Sequence, residues 1–541
     1  MQPRPYALNH PKTARPVIMG RHGMISSGHY LASLAGSRVL QEGGNAMDAA
    51  LATSFALTVV KPHTCGPGGD LFALVFMKKN GKVEALNASG PSPQKATIEF
   101  FKERGMNKIP TSGPLSIAVP GAVDGWIELH RRYGSMDLNR LSADAIDYAR
   151  EGFALYPSLG STIADLAASF PMIEQSFRRP LNDLAPGKVL VQKGLAQSLE
   201  QIAKKGRDGF YRGELATRMC TAIKKEGGIL SEEDLQGSYA EWLDPITTTY
   251  RGFTLFEQPP VSQGFIVLEI LNIVEDYPLD QPGALDQANA VHFMVEAKKL
   301  AFEDRINHLE DPRFGDPKIS LLLSKDYAKE RRKLIPNSAK SQEQVSASFG
   351  SDTTYLCTAD REGNVVSIIQ SIFAGFGSRV VAGDTGLIMN NRLCGFGLDP
   401  STTNGLVPGK RPAHTLNSYM VFGDGDFLAV GGTPGADDQP QTNVQVLHNL
   451  LDHHLAPQAA IEAPRWSHLP GTPPRSDIPE ELRLEEGFPP EVVKKLLAKG
   501  HNVNVVKRWA FGSAAVILRD PVSGTWMAGA DPRREGYAIG W

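Results

Sequence analysis

The chain has 541 residues, 41% hydrophobic and 21% charged, enough apolar material to bury a large core without disulfide or metal staples, and disorder is excluded. With 56 Lys and Arg against 59 Asp and Glu the net charge is -3, so no basic field exists to draw in nucleic acid or an anionic membrane. Cys65, Cys220, Cys357 and Cys394 are scattered without CxxC spacing, which predicts reduced, mostly buried thiols and supports neither a zinc site nor a disulfide framework. The opening MQPRPYALNHPKTARPVIMGRHG holds no apolar signal-type run, and no later stretch nears about 18 uninterrupted apolar residues; the expectation is a soluble cytoplasmic protein.

Residues 31–60 carry helical periodicity on both sides of Gly43-Gly44-Asn45 and become apolar nearly all round, the pattern of a buried helix pair. KPHTCGPGGD follows, with glycines at 66, 68 and 69, then the strand-like LFALVFM and the turn KKNGK: a loop feeding a hairpin. From about 113 to 250 the text is mainly helical, several segments closing on glycine. The longest helical pattern spans 284–309. Residues 325–350 turn polar and charged, which predicts an exposed, mobile segment. Beyond 353, runs such as TTYLCTAD, VVSIIQSIF, SYMVF and DFLAVGG are β-branched and separated by short turns, so the last third is sheet-rich. With no internal repeat, helices before and strands after a polar link predict layers of one α+β domain.

The junction of that link with the strand carries the chemistry. Gly350-Ser351-Asp352 runs into Thr353-Thr354 with no intervening turn. A threonine at a free N-terminus has a hydroxyl nucleophile and an α-amine of ordinary pKa about 7.7–8.0 that serves as its base. In the uncut chain the same hydroxyl can attack the Asp352 carbonyl, move the acyl group from nitrogen to oxygen, and release the amine on hydrolysis. A Thr-Thr pair opening a strand is also simply good β-propensity.

TTYLCTADREGNVVSIIQSIFAGFGSRVVAGDTGLIMNN resembles the start of the small subunit of the γ-glutamyltranspeptidase family of N-terminal-nucleophile hydrolases. So do GMISSGHYLASLAGSRVLQEGGNAMDAALA, VVKPHTCGPGGD, PPVSQG, VEAKKLAFEDR, RPAHT, GGTPG, APRW and GADPRREG, in order across nearly the whole chain. The resemblance implies a four-layer αββα sandwich that cuts itself between Asp352 and Thr353, leaving 1–352 as large subunit and 353–541 as small subunit of one intertwined heterodimer. It implies Thr353 as nucleophile followed by Thr354, Ser371 where the family has a threonine bonding the nucleophile, and the N–H groups of Gly435 and Ala436 as oxyanion donors, Ala436 replacing a glycine. No metal or organic cofactor is implied.

Where the family holds an α-carboxylate and an α-amine, this chain departs from the pattern. The carboxylate-binding arginine aligns with Ser89 and two serines with His414 and Thr415; on the amine side an asparagine becomes Phe373, a glutamine Arg392 and an aspartate Gly395. An ammonium would meet a guanidinium there, whereas an anion would gain charge-assisted hydrogen bonds. The expected substrate is a small amide whose acyl group lacks the amine and carries a carboxylate, oxamate-like, with a glutaryl-type group satisfying the same charges. N-R in NNRLCGF and RPAHT resemble the branch holding oxamate amidohydrolases and cephalosporin or glutaryl acylases; glutathione hydrolysis through a rearranged pocket and an unprocessed small-acid binding protein are the alternatives. His414 reads equally as a packed histidine, and Arg392 as a partner of Asp384 or Asp399. His448, His453 and His454 share no helical face and read as a solvated helix end; GLVPGKR reads as a loop; Asp437 and Asp438 read as a helix cap or a cation site, capping being commoner.

Overall fold

The computed structural model describes residues 13–166, 177, 184–281, 285–339, 351–470 and 480–541, with backbone alone at 351 and 352. Two seven-stranded sheets form the centre. One runs Ile18–Gly20, Trp526–Ala530, Ala515–Arg519, Asp426–Gly432, Ser418–Gly423, Phe253–Glu257, Ile246–Tyr250; the other runs Tyr537–Gly540, Gly23–Ser27, Ser351–Asp360, Val365–Ala374, Asp70–Met77, Lys82–Ala88, Glu241–Leu243. All neighbours in both are antiparallel.

The period of two along each strand divides the side chains between two interiors. In Ser351–Asp360, Tyr355, Cys357 and Ala359 meet Met420, Val430 and Ile517 of the facing sheet, while Leu356 turns outward to Leu51 and Phe55. Helices Tyr30–Gln41, Ala46–Val60, Ala122–Tyr133 and Leu138–Arg150 cover that outer face, and Phe265–Val274, Gln287–His308 and Asp438–Leu451 cover the other sheet. The result is the expected order of helices, sheet, sheet, helices. Burial of each large aliphatic or aromatic side chain contributes about 1.5–3 kcal/mol to holding the layers together.

Ala46–Val60 shows how local sequence sets an element. Asn45 and Asp48 form a reciprocal capping box, every helical residue is buried, and the helix ends at Lys61 before Pro62. A Cβ at Gly36 would lie 2.2 Å from Thr53 Oγ1, so only glycine lets the neighbouring helix pack this closely. Hairpin and longest helix fall where the sequence predicts them, at Asp70–Met77 with Lys82–Ala88 and at Gln287–His308. Two expectations need correction. Lys325–Arg332 is a helix, capped by Ser324 and fastened where Arg331 donates to Leu300 O and Arg332 to Ile273 O; charge alone hid those anchors. Residues 340–350 lie outside the described residues. The early strands also go beyond the single predicted hairpin: five ladders join strands before residue 352 to strands made mostly or wholly of residues after it, so both sheets are woven from both segments. No helix among the described residues is long and apolar enough to cross a membrane.

Candidate active site

Cross-strand register assembles the first row of the site. Thr353 pairs with Ser371 and Ser371 with Asp70, which puts all three side chains on the face between the sheets. Thr353 Oγ1 donates to Ser371 Oγ at 3.1 Å, and the same Ser371 oxygen accepts the Phe373 N–H at 2.8 Å. Thr353 is buried, and Thr354, one residue on, faces the helical layer with its buried Oγ1 lacking a hydrogen-bond partner among the described residues. A Cβ at Gly69 would lie 2.4 Å from Ser371 O, so that glycine in VVKPHTCGPGGD lets the loop close against the cross-strand neighbour of Thr353.

Strand Asp426–Gly432 and helix Asp438–Leu451 are joined by the turn that carries Gly435 and Ala436. The carbonyls of these two residues accept the Asp438 and Gln439 N–H groups, which sets their own amides just before the positive end of that helix. Gly435 has φ 135° and Ala436 φ 48°. The Ala436 methyl therefore is not neutral: a non-glycine residue in the left-handed region costs about 1–2 kcal/mol, sustained by its surroundings. Gln263 Nε2 bridges Ala436 O at 3.0 Å and Thr415 O at 2.7 Å, and Arg305 pairs with Asp437 at 2.5 Å. Asp437 makes no side-chain cap, contrary to the expected capping role; it is spent on Arg305. Asp438 instead accepts from Ser467 Oγ.

The remaining sequence-predicted residues gather around Asp70. Arg392, 1% exposed, sits with Nε 3.4 Å from Asp70 Oδ2 and its guanidinium 4.1 Å above the Phe373 ring, and Nη1 reaches Thr415 Oγ1 at 3.4 Å. Its counterion is thus Asp70; Asp384 pairs with Arg218 and Asp399 accepts from Ser401. Nε and Nη2 of Arg392 have no hydrogen-bond partner among the described residues. His414 Nδ1 accepts the Leu416 N–H and its Nε2–H donates to Asp70 Oδ2 at 3.1 Å, which fixes a neutral tautomer. Burial, aided by Arg392, pushes the His414 pKa down to about 4, and burial pulls Arg392 down to about 10. Ser89 is turned inward to Asn87 Oδ1, while the next residue's N–H reaches Asp70 Oδ1.

A cavity of about 440 Å³ opens at Thr353. Thr353, Thr354 and Gly435 share its wall with Lys61, His63 and Arg534, and none of Arg392, His414, Thr415, Phe373 or Ser89 reaches it. Reasoning from sequence gave no role to Asp70, Gln263, Arg305, Lys61 or Arg534, although each lies in a segment it quoted; only strand register and side-chain contact bring them to the site. The other clusters resolve plainly. Cys65, Cys220 and Cys357 are buried and Cys394 partly so, all reduced. His448 is buried and bonded to Asp452 Oδ2 at 2.6 Å, not solvated as expected. GLVPGKR lies in a loop. His292, Glu296 and His501 converge, but the two imidazoles bond each other at 2.9 Å and Glu296 pairs with Lys299 at 2.9 Å.

A helix-flanked double sheet with a strand-borne threonine facing an amide-bearing turn is the architecture of an N-terminal-nucleophile hydrolase. The chain belongs to the γ-glutamyltranspeptidase family: the family's sequence model, Gamma-glutamyltranspeptidase, matches residues 32–541. It is 40% identical over 531 residues to the Glutathione hydrolase-like YwrD proenzyme of Bacillus subtilis (strain 168), covering 97% of this chain and 99% of that one. Identity to the Oxamate amidohydrolase proenzyme of Klebsiella pneumoniae subsp. pneumoniae is 35% over 533 residues, 96% and 98% of the two chains. The crystal structure of cephalosporin acylase from Bacillus halodurans matches with a TM-score of 0.89 at 37% identity, covering 100% of this chain and 99% of that one. The protein is an enzyme of the amidohydrolase and transpeptidase kind, and its α+β sandwich is the one its structural relatives share.

Proposed function

We propose that the chain cuts itself between Asp352 and Thr353 and then hydrolyses the amide of a small carboxylate-bearing acyl group, oxamate being the smallest case. The observation that carries this reading is the 3.1 Å contact of Thr353 Oγ1 with Ser371 Oγ on the wall of a cavity that Gly435 also lines. After cleavage the Thr353 α-amine takes the hydroxyl proton as Oγ attacks the amide carbon, and the Gly435 and Ala436 N–H groups stabilise the oxyanion. The C–N bond breaks, the amine leaves with the proton held on the α-amine, and water resolves the ester by the same route. The two segments stay together through the five shared ladders.

An anionic acyl group is supported by Arg392. Asp70 faces Nε and Thr415 faces Nη1, so Nη2, without a hydrogen-bond partner among the described residues, remains to receive an oxygen atom beside Phe373. An α-ammonium placed there would face a like charge in a dry site. Thr353→Ala tests the reading: denaturing gels should show one band at 58.7 kDa and no amidase activity, while Thr353→Ser keeps part of both. An Ala variant that still splits at 352–353 defeats self-cleavage. Hydrolysis of γ-glutamyl-p-nitroanilide as fast as of oxamate or glutaryl amides defeats the acyl preference.

A further inference from the structure

Helix Gln287–His308 belongs to the segment before residue 352, whereas His501 lies between helix Pro490–Ala498 and strand Val503–Val506 of the segment after it. Where the two segments meet, a ring nitrogen of His292, a carboxylate oxygen of Glu296 and a ring nitrogen of His501 lie within 4.8 Å of one another, and all three residues are buried. His292 and Glu296 are four residues apart on the helix and share a face. His501 is presented by the turn that closes helix Pro490–Ala498, its N–H donating to Leu496 O at 3.2 Å.

The cluster is arranged as imidazole ligands are. The His292 Nε2–H donates to Pro336 O at 2.8 Å, which fixes the tautomer and leaves the Nδ1 lone pair facing His501. A backbone carbonyl on the far nitrogen is the common support of a metal-bound histidine. Nδ1 of His292 and Nε2 of His501 are 2.9 Å apart. Two nitrogens each about 2.0–2.1 Å from a tetrahedral zinc ion stand about 3.3–3.4 Å apart, so an opening of about half an ångström admits the ion. Both rings are neutral, as ligands must be: burial lowers the His292 pKa and holds His501 down to about 3.

The surrounding charges leave room for a cation. Glu296 pairs with Lys299 at 2.9 Å, but Lys299 has a second carboxylate in Glu480 at 2.6 Å, so Glu296 can turn an oxygen to an ion while Lys299 stays with Glu480. Burial alone would raise Glu480; bonds from His468 and Lys299 hold it down to about 2, and it stays ionised. His468 is neutral, and burial pulls Lys298 down to about 7. Lys499 is also felt by both imidazoles, and its Nζ donates to Asn337 O at 2.9 Å.

We propose that His292, Glu296 and His501 form a structural site for a divalent ion of the zinc type, which clips helix Gln287–His308 to the later segment. Two imidazoles and a carboxylate suit zinc, and the fourth tetrahedral position falls to water. None of the three residues lines the cavity at Thr353, so the ion takes no part in the chemistry there. It would also steady the chain leading toward Ser351, since Pro336 supports His292 and the Ala339 N–H donates to Lys499 O at 2.7 Å.

The test depends neither on self-cleavage nor on a substrate. The parent protein, stripped with EDTA and titrated with zinc chloride by isothermal calorimetry, should bind one equivalent at this site, and Glu296→Gln and His501→Gln should each weaken that binding by at least about tenfold. Melting curves of the stripped proteins show whether both variants are folded; His501 stands in a turn and Glu296→Gln keeps the side-chain shape, so two independent replacements carry the comparison. Cobalt(II) in place of zinc should give the intense visible absorption of a tetrahedral ion in the parent and lose it in His501→Gln. No zinc bound by the parent, binding at parental strength in either variant, or the weak spectrum of a water-rich octahedral cobalt ion overturns the site.

Discussion

Asp70→Asn tests the charge that holds the Arg392 cluster. Asparagine keeps the shape, and its single amide oxygen can still accept from the Gly90 N–H, but its NH2 then replaces the oxygen that faces His414 and Arg392, so the change removes the negative charge and one acceptor. At 3.4 Å and an effective dielectric of about 20, the lost attraction to Arg392 amounts to about 5 kcal/mol. That agrees with the roughly 3–5 kcal/mol lost when one partner of a buried pair is removed, a large part of a typical stability of about 5–15 kcal/mol. Replacing Arg392 as well, by Met, should restore most of it, because no uncompensated guanidinium is then left inside. Urea unfolding of the four corners of this cycle, on the uncut Thr353→Ala chain, measures the coupling. A loss under about 1 kcal/mol for Asp70→Asn alone, at the low end of single-site effects, would refute the reasoning: Arg392 would then have water or another counterion, and the dry acyl pocket would not exist.

Ser371→Ala should slow both self-cleavage and turnover by about tenfold through loss of its bond to Thr353, and Ser371→Thr should keep both, as followed by gel and amidase assay; unchanged rates in the Ala variant would remove Ser371 from the mechanism. Gly435→Ala places a methyl at φ 135°, 3.3 Å from Asp438 Cβ, and should lower kcat by about 10²–10³ with little change in KM; a matching rise in KM would mean that the turn binds substrate and not the oxyanion. His414, held down to about 4 from an ordinary 6.5, takes up a proton on unfolding, so its contribution falls away as pH drops from about 6.5 toward 4. Stability curves at pH 7 and pH 5 should show the parent losing about 2 kcal/mol more than His414→Gln; parallel losses would place a charged imidazole against Asp70.

How far the sequence could be read depended on whether a residue acts alone or through a distant partner. Thr353 and Ser371 were legible because one strand, a short turn and the next strand bring them together, and the four layers followed from a motif set spanning the chain. The partner of Arg392 was not. Asp384 and Asp399 are near it in sequence, but Asp70 reaches it only because Asp70–Met77 pairs with Val365–Ala374. Asp437 looked like a helix cap until Arg305, on another helix, claimed its carboxylate. That Ala436 stands where a glycine is usual can be read from the residues, but the positive φ that makes the exchange costly belongs to the folded turn. The charged run from 325 misled because the carbonyls that hold Arg331 and Arg332 belong to other elements.

The weave of the two sheets also governs how such a molecule can be manufactured. Residues 353–541 on their own would own four contiguous strands of one sheet with both margins bare, and bare margins recruit other chains. Assembly must therefore finish while the polypeptide is continuous, with the covalent tether keeping the later strands beside the earlier ones. With the proposed cut between Asp352 and Thr353 that tether would be gone, and rejoining melted pieces would become a bimolecular search that dilution penalises. Mature material should accordingly melt only once, and producing the halves from separate messages should give precipitate where the intact reading frame gives enzyme.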